Sequence, residues 1–164
     1  MMGFIGGTGL YSMEGLESPR ETSFDTPFGK PSAPIVLGQL NDQQVAFIAR
    51  HGQHHTLLPS EINFKANIWA LKKLGVTQLV SISAVGSLVQ EIPPGDLIVV
   101  GDYLDWTRGK RDGTFFGAGV IAHISMAVPV CAKLSKAILE IAKTITPNIH
   151  AGKTYACIEG PRFG

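Results

Sequence analysis

Apolar residues recur along the chain in short runs of strand length, separated by glycine, proline, asparagine and aspartate. Residues 3–6 form such a run and lead directly into a glycine-rich turn. Residues 34–40 and 44–50 flank the polar residues 41–43 (Asn-Asp-Gln), and two apolar runs around a short polar turn predict a β-hairpin. The first third of the chain therefore predicts three strands.

Two segments instead carry apolar residues at helical spacing. Residues 61–74 and 131–145 each collect apolar side chains on one face, with most lysines on the other. Ser60 is the predicted N-cap of the first helix, and Gly75 is the predicted residue at which that helix ends. The predicted apolar faces comprise Ile62, Ala66, Trp69 and Leu74 in the first helix, and Leu134, Ile138 and Ile141 in the second.

The remaining apolar runs define the fold class. Residues 77–84 and 97–101 are nearly continuously apolar, which suits strands covered on both faces of a parallel or mixed sheet, and residues 153–159 predict a last strand. The sequence thus predicts an α/β fold with a central mixed β-sheet flanked by helices. Because only two helices accompany about six strands, we expect residues 1–164 to be a single domain, truncated at its C-terminal side.

Composition narrows the function classes. The chain has 164 residues, of which 45% are hydrophobic and 16% charged, and its formal net charge is +1. These values exclude intrinsic disorder and provide no basic stripe for nucleic acid or for a membrane surface. Residues 113–132 carry no formal charge, but their glycines and proline favour a buried loop at a subunit contact or active site over a membrane span. With no signal peptide evident, we expect a soluble, cytoplasmic protein.

Small and polar residues follow three of the predicted strands. Residues 6–9 (Gly-Gly-Thr-Gly) offer backbone N–H groups and a hydroxyl to an anion, although a plain tight turn is the alternative. Arg50 follows the hairpin and offers a planar fork for phosphate or carboxylate. Another strand ends in small residues around Ser83, with an ordinary strand exit as the alternative. Together these three strand ends predict one oxyanion site.

The histidines and cysteines indicate no metal site. Residues 51–55 contain three histidines, but no cysteine, and no acidic residue before Glu61, completes a familiar ligand set. Surface or structural histidines remain the alternative to an anion site there. Cys131 and Cys157 have no CxxC spacing and predict free, buried thiols. Motifs of serine hydrolases, zinc proteases and dinucleotide-binding proteins are absent, so neither a metal nor an organic cofactor is predicted.

Seven segments carry a resemblance to a known family, in its order and spacing. They are IGGTGLY (5–11), DTPFGKPS (25–32), ARHGQHHTLLPSEINFKANIWALKKLG (49–75), SAVGSL (83–88), PGDLIVV (94–100), AHISMAVP (122–129) and IEGPRF (158–163). With these motifs the chain resembles the purine nucleoside phosphorylase family, and within it most resembles the branch that cleaves S-methyl-5′-thioadenosine. The resemblance covers essentially the whole chain and corresponds to somewhat more than the N-terminal half of the family chain.

The resemblance implies a homotrimeric pentosyltransferase in which inorganic phosphate attacks C1′ of a nucleoside and the purine leaves. The implied products of S-methyl-5′-thioadenosine are adenine and 5-methylthioribose 1-phosphate, as in purine and methionine salvage. Phosphate is a co-substrate, and no cofactor is implied. His123 is expected on the ribose and 5′ side, reaching a neighbouring subunit's site, and Phe163 on the base. The implied phosphate-binding residues are Thr8, Arg50, His51, Ser83 and Ala84.

The chain departs from the family pattern at Gly164, where the family has a serine that helps set purine preference. The family residues that protonate the leaving purine come after this point, so no catalytic residue is identified. Three alternatives stay open: a 6-oxopurine nucleoside or methylthioinosine phosphorylase, a non-catalytic phosphate- or nucleoside-binding fragment, and a structural subunit whose segment 113–132 is an interface.

Overall fold

The computed structural model describes residues 1–7, 14–107, 109, 111 and 113–160. The chain divides into two compact units, Met1–Ala84 and Val85–Gly164. Strands and helices occur in both units, which confirms the predicted α/β class. The first unit contains β1 (Met2–Gly6), β2 (Glu17–Thr22), β3 (Ile35–Leu40), β4 (Gln43–Ala49), α1 (Phe64–Lys73) and β5 (Gln78–Ser81), and the second contains β6 (Leu97–Trp106), α2 (Ala132–Ile145) and β7 (Ile149–Ile158).

The first unit is built on a mixed sheet with the strand order β2-β3-β4-β1-β5. Strand β1 runs parallel to both β4 and β5, whereas β3 is antiparallel to β4 and β2. Gly6 pairs with Ala49, and Ile5 pairs with Ser81. The carboxyl ends of β4, β1 and β5 therefore meet at one edge of the sheet, as the predicted mixed sheet requires.

The predicted hairpin is confirmed, with a turn one residue shorter than expected. Asn41 and Asp42 have φ angles of 48° and 60°, and a two-residue turn with positive φ at both positions matches the twist of the strands it joins. Gln43 pairs with Leu40 and belongs to β4.

Strand β2 is not predicted by the hydrophobic pattern. It lies at the sheet edge, and its sequence, ESPRET, is exposed over most of its length. Its pairing with β3 shifts between Glu17 and Arg20, and Ser18 between them has a φ of 48°. An edge strand with such a bulge tolerates Pro19 and needs no apolar alternation, so its sequence is typical of a loop.

Helix α1 begins after Asn63, so the prediction of Ser60 as its N-cap is wrong. The Asn63 side chain accepts the backbone N–H three residues further on, at 3.1 Å. Ser60 lies in the preceding turn, where Leu58 N–H donates to Glu61 Oε2 at 2.8 Å and Glu61 N–H donates to the Leu58 carbonyl at 2.9 Å. Gly75, with a φ of 88°, ends the helix as predicted.

The core of the first unit forms between the sheet and α1. Every residue from 45 to 49 is buried, so β4 is covered on both faces. Asn67 is 1% exposed, and its amide is satisfied by Ser32, whose N–H donates to Oδ1 at 2.8 Å and whose hydroxyl accepts from Nδ2 at 3.0 Å. The buried residues of α1 are Ala66, Asn67, Ala70 and Leu71; the predicted Ile62 is also buried, and the predicted Trp69 and Leu74 are half-buried.

The second unit holds a two-stranded parallel sheet, β6-β7, against which α2 packs. The prediction that β5 and β6 are buried on both faces of the sheet is wrong. Leu79 in β5 and Leu97 and Leu104 in β6 are exposed. Strand β5 is an edge strand, and one helix cannot cover both faces of β6-β7. On α2, the predicted Leu134 and Ile138 are half-buried, but Ile141 is exposed.

The segment 113–131 forms neither helix nor strand, and most of its large apolar side chains are exposed. The expectation of a buried loop is thus not met within this single chain. No helix in the described ranges is both long and apolar enough to cross a membrane. Cys131 and Cys157 are free thiols as predicted, but neither is fully buried: Cys131, which precedes α2, is exposed, and Cys157 in β7 is half-buried.

Candidate functional site: an arginine at a sheet edge

Arg50 lies at the edge where β4, β1 and β5 end. Its backbone N–H donates to the Gly6 carbonyl at 3.0 Å and so extends the β1–β4 ladder by one residue. Its guanidinium reaches the chain beyond β5, where Nη1 donates to the Ile82 carbonyl at 2.7 Å and Nη2 donates to Ser83 Oγ at 3.2 Å. Two residues that are 33 positions apart in the sequence are thereby joined at one sheet edge.

The guanidinium passes close to the backbone at the end of β1. A Cβ atom at Gly7 would lie 3.3 Å from Arg50 Nη2, which is tighter than ordinary contact. A larger side chain at this position would displace the guanidinium, so glycine keeps the approach open. Thr8, the predicted phosphate ligand that follows, lies outside the described residues.

His51 is buried beside Arg50, with 8% of its surface exposed. Its Nε2 lies 3.1 Å from Arg50 Nε, and its Nδ1 lies 2.9 Å from the Leu57 carbonyl oxygen. The imidazole also stacks on His55, with 4.5 Å between the ring centroids. The loop after β4 therefore folds back so that both ring nitrogens contact the protein.

The charge of Arg50 is not neutralised by a carboxylate in the part of the chain that the structure describes. Contacts to His51, Ile82 and Ser83 engage three of the five guanidinium N–H groups. A half-buried cation is costly unless a counter-charge compensates it. A guanidinium fixed by neutral acceptors at the carboxyl ends of parallel strands is therefore suited to an anionic ligand.

Ser83 and Ala84 follow β5 and are exposed. Ser83 Oγ accepts from Arg50 and donates to the Ala84 carbonyl at 3.3 Å. This hydroxyl adds a polar group to the same edge without adding charge. The described part of this edge thus includes the Arg50 cation and the Ser83 hydroxyl.

Four of the seven predicted site residues come together at this edge: Arg50, His51, Ser83 and Ala84. His123 belongs to the second unit and is exposed within the segment 113–131, and Phe163 lies outside the described residues. Across the described ranges, no three His, Cys, Asp or Glu side chains are grouped so that they could hold a metal ion.

The residues that sequence reasoning missed contribute backbone groups. The carbonyls of Leu57 and Ile82 fix His51 and Arg50, and Gly7 gives the guanidinium room. Every residue carries a carbonyl, so no feature of the sequence marks these two. The sequence predicted Gly7 as part of a glycine-rich turn but not its close approach to Arg50.

The second unit has separate polar contacts. Asp96 Oδ2 lies 2.7 Å from His150 Nε2, and Arg111 pairs with Glu159. The pKa of Asp105 is lowered, chiefly because the backbone N–H of Thr107 donates to its carboxylate, at 2.9 Å.

Comparison with known families gives a match over nearly the whole chain. The family described as "Phosphorylase superfamily" matches residues 2–164. An S-methyl-5′-thioadenosine phosphorylase from Geobacter sulfurreducens is 48% identical over 163 residues, which are 99% of this chain and 57% of the relative. An S-methyl-5′-thioadenosine phosphorylase from Nitrosopumilus maritimus is also 48% identical, over 99% of this chain and 61% of its own length.

Solved structures agree with these matches. A methylthioadenosine phosphorylase from an antarctic soil metagenomic library superposes with a TM-score of 0.92 at 46% identity, covering 99% of this chain and 57% of its own. Methylthioadenosine phosphorylase from Schistosoma mansoni in complex with adenine gives a TM-score of 0.91 at 33% identity, covering 99% and 66%. The chain spans about six tenths of the length of the curated relatives it matches.

Proposed function

The chain belongs to the phosphorylase superfamily, and on that premise we propose that the protein cleaves S-methyl-5′-thioadenosine with inorganic phosphate. The products are adenine and 5-methylthioribose 1-phosphate, which places the reaction in purine and methionine salvage. The names of the relatives favour a 6-aminopurine over a 6-oxopurine substrate. Because the family match runs across both units, we assign residues 1–164 to one phosphorylase domain.

The observation that carries the proposal is the guanidinium of Arg50 at the sheet edge, which no carboxylate among the described residues neutralises. Phosphate at neutral pH carries up to two negative charges, and it pairs with the two N–H groups that His51, Ile82 and Ser83 leave over. Thr8 and Ala84 complete the phosphate-binding set in this proposal, with His51 beside Arg50.

Holding phosphate at a fixed position supplies most of the chemistry that phosphorolysis needs. The displacement at C1′ passes through a state in which the ribose is positively charged, so a nucleophile that is already oriented lowers the barrier. No protein nucleophile, metal or organic cofactor takes part in this scheme. The protonation of the leaving adenine is assigned to no residue of this chain.

The remaining substrate contacts are assigned to His123, on the ribose and 5′ side, and to Phe163, on the base. We also propose a homotrimer in the cytoplasm. Support for self-association comes from the exposed apolar residues of the segment 113–131, among them Ile121 at 83% and Val128 at 72% exposure. Patches of this kind are typical of protein interfaces.

The test is adenine release from S-methyl-5′-thioadenosine by the protein at the full length that its gene encodes, with and without phosphate. The proposal expects release only with phosphate, together with one equivalent of 5-methylthioribose 1-phosphate. Release without phosphate would indicate a hydrolase, and phosphate binding without release would indicate a binding protein; either result contradicts the proposal.

A further inference from the structure

The carboxyl ends of β6 and β7 lie side by side in the second unit. The two strands are parallel, and Trp106 and Ile158, the last residues of the strands, pair with each other. The next residues along the chain are Thr107, which is buried, and Glu159. Ligands of open α/β sheets bind at the carboxyl ends of parallel strands. Polar side chains at this edge are therefore candidates for a role in the reaction.

An ion pair joins the two strand ends. Arg111 Nε donates to Glu159 Oε1, and the two side chains are only 20% and 18% exposed. The pair spans 48 positions of the sequence and ties the loop after β6 to the residue that follows β7. By contrast, the Lys136–Glu140 pair lies within α2, is 77% and 65% exposed, and has 3.8 Å between its charged atoms.

The loop that carries Arg111 is held against the end of β6. Asp105 Oδ1 accepts from the Thr107 N–H at 2.9 Å, which turns the chain directly after the strand. The pKa of Asp105 is lowered chiefly by its hydrogen bonds from Thr107 and, to a smaller degree, by the positive charge of Arg111. Arg111 therefore acts on two carboxylates at this edge, those of Asp105 and Glu159.

Glu159 is close in sequence to the residue assigned to the purine. Phe163 is the fourth residue after it, and four residues span at most about 14 Å. We propose that Arg111 is a positioning residue for the purine base, because by holding Glu159 it sets the direction in which the chain leaves β7 toward Phe163. This inference rests on the proposed function for the contact between Phe163 and the base.

The main consequence of the ion pair is geometric. A half-buried pair contributes little net stability, because the cost of removing both charges from water offsets their attraction. A guanidinium and a carboxylate nevertheless bond in preferred, directional arrangements. The pair therefore suits a role in orienting a segment better than a role in stabilising the fold.

Three substitutions test this role. Arg111→Met and Glu159→Gln each remove one charge of the pair and keep a side chain of similar length, and they are also combined in a double variant. Glu140→Gln is the matched control, because it removes one charge from the exposed ion pair of the same unit. Surface pairs of that kind contribute little.

The experiment measures the KM for S-methyl-5′-thioadenosine and the KM for phosphate in the full-length protein and its variants. We expect each single change to raise the KM for the nucleoside about tenfold, the scale of one hydrogen bond to a charged group. The KM for phosphate should not change, because Arg50, His51 and Ser83 belong to the first unit.

The double variant should be no worse than the worse single variant, because either change breaks the same contact. Effects that multiply in the double variant, equal rises in both KM values, or no rise beyond that of Glu140→Gln would overturn the inference.

Two further measurements separate positioning from stability and from the proposed function. Arg111→Lys keeps the positive charge without the planar fork and should give a KM for the nucleoside between those of the wild type and Arg111→Met. A lower Tm with an unchanged KM in this variant would show a structural role only.

Adenine affinity, measured by calorimetry, should fall in the same variants by a similar factor. A wild type that binds adenine but cleaves no nucleoside would refute the proposed function, while adenine affinity would still rank the variants. A wild type that cleaves the nucleoside, with Arg111→Met unaffected, would overturn this inference alone. A wild type that neither binds adenine nor cleaves the nucleoside would overturn both.

Discussion

Replacement of Arg50 by alanine should weaken phosphate binding far more than it weakens folding. His51, Ile82 and Ser83 accept hydrogen bonds from three of the five guanidinium N–H groups. The other two N–H groups are the ones that phosphate can bind. Hydrogen bonds to charged groups contribute about 1.5–3 kcal/mol each, so losing two costs about 3–6 kcal/mol. At about 1.4 kcal/mol per factor of ten, the KM for phosphate should rise by about 10²- to 10⁴-fold.

The effect of the same change on stability follows from the acceptors it leaves behind. Ile82 and Ser83 are exposed, so in the variant water can bind the Ile82 carbonyl and the Ser83 hydroxyl in place of the guanidinium. His51 Nε2 is buried and loses its partner, at a cost of about 1–3 kcal/mol in the free energy of unfolding. Arg50→Ala should therefore fold, with a moderately lower Tm.

The assay is the initial rate of adenine release at saturating S-methyl-5′-thioadenosine over a range of phosphate concentrations. Arg20→Ala is the matched control, because it removes the same charge from an exposed position on the edge strand β2. Arg50→Lys keeps the charge without the planar fork and should fall between the wild type and Arg50→Ala. A folded Arg50→Ala protein whose KM for phosphate changes no more than that of Arg20→Ala would show that Arg50 does not bind phosphate.

Three further predictions concern stability, measured by denaturant unfolding. Asn63→Ala should cost about 1–2 kcal/mol, because it removes the N-cap of α1 together with the hydrogen bond that the amide donates to the Phe28 carbonyl. Gly101→Ala should cost about 1–3 kcal/mol, because its Cβ would lie 2.7 Å from the Gly152 Cα. The Thr107 N–H lowers the pKa of Asp105 in the folded state. The wild type should therefore be more stable than Asp105→Asn above about pH 4, and this difference in the free energy of unfolding should decline as the pH falls further.

Each of these has an outcome that contradicts it. Asn63→Ser retains a capping oxygen but loses the amide that donates to the Phe28 carbonyl at 2.6 Å, so it should recover only the part of the loss that is due to the cap, and a complete recovery or none would contradict this division. Gly113→Ala is the control for Gly101→Ala, since a Cβ at Gly113 meets no atom of the described residues within 4 Å. Equal costs for the two glycine substitutions would contradict the close approach. An Asp105→Asn difference that does not change between pH 7 and pH 2 would contradict the lowered pKa.

Much of the fold could be predicted from the sequence because several elements carry their own local pattern. The hairpin has apolar strands around Asn41-Asp42, and α2 has a clear amphipathic repeat. Strand β2 could not be predicted, because its existence depends on pairing with β3 rather than on burial of apolar residues. The N-cap of α1 was misassigned because Ser60 and Asn63 are both suitable cap residues, and a tertiary turn decides between them.

The candidate site was predictable in its residues but not in its contacts. Arg50 and Ser83 each follow a strand, and the convergence of parallel strand ends is a general rule. Their direct contact depends on β1 lying between β4 and β5, an order that no local pattern specifies. The partner of His51 is a backbone carbonyl six residues away, which only the folded loop selects.

Phosphorolysis by this protein depends, in our proposal, on Arg50 binding phosphate at this sheet edge. The decisive measurement is a crystal structure of the full-length protein with phosphate and a non-cleavable analogue of S-methyl-5′-thioadenosine. We expect a phosphate with oxygens within hydrogen-bond distance of the Arg50 guanidinium and the Ser83 hydroxyl, on the C1′ side of the analogue. A phosphate bound elsewhere, or Arg50 paired with a carboxylate in the complex, would contradict it.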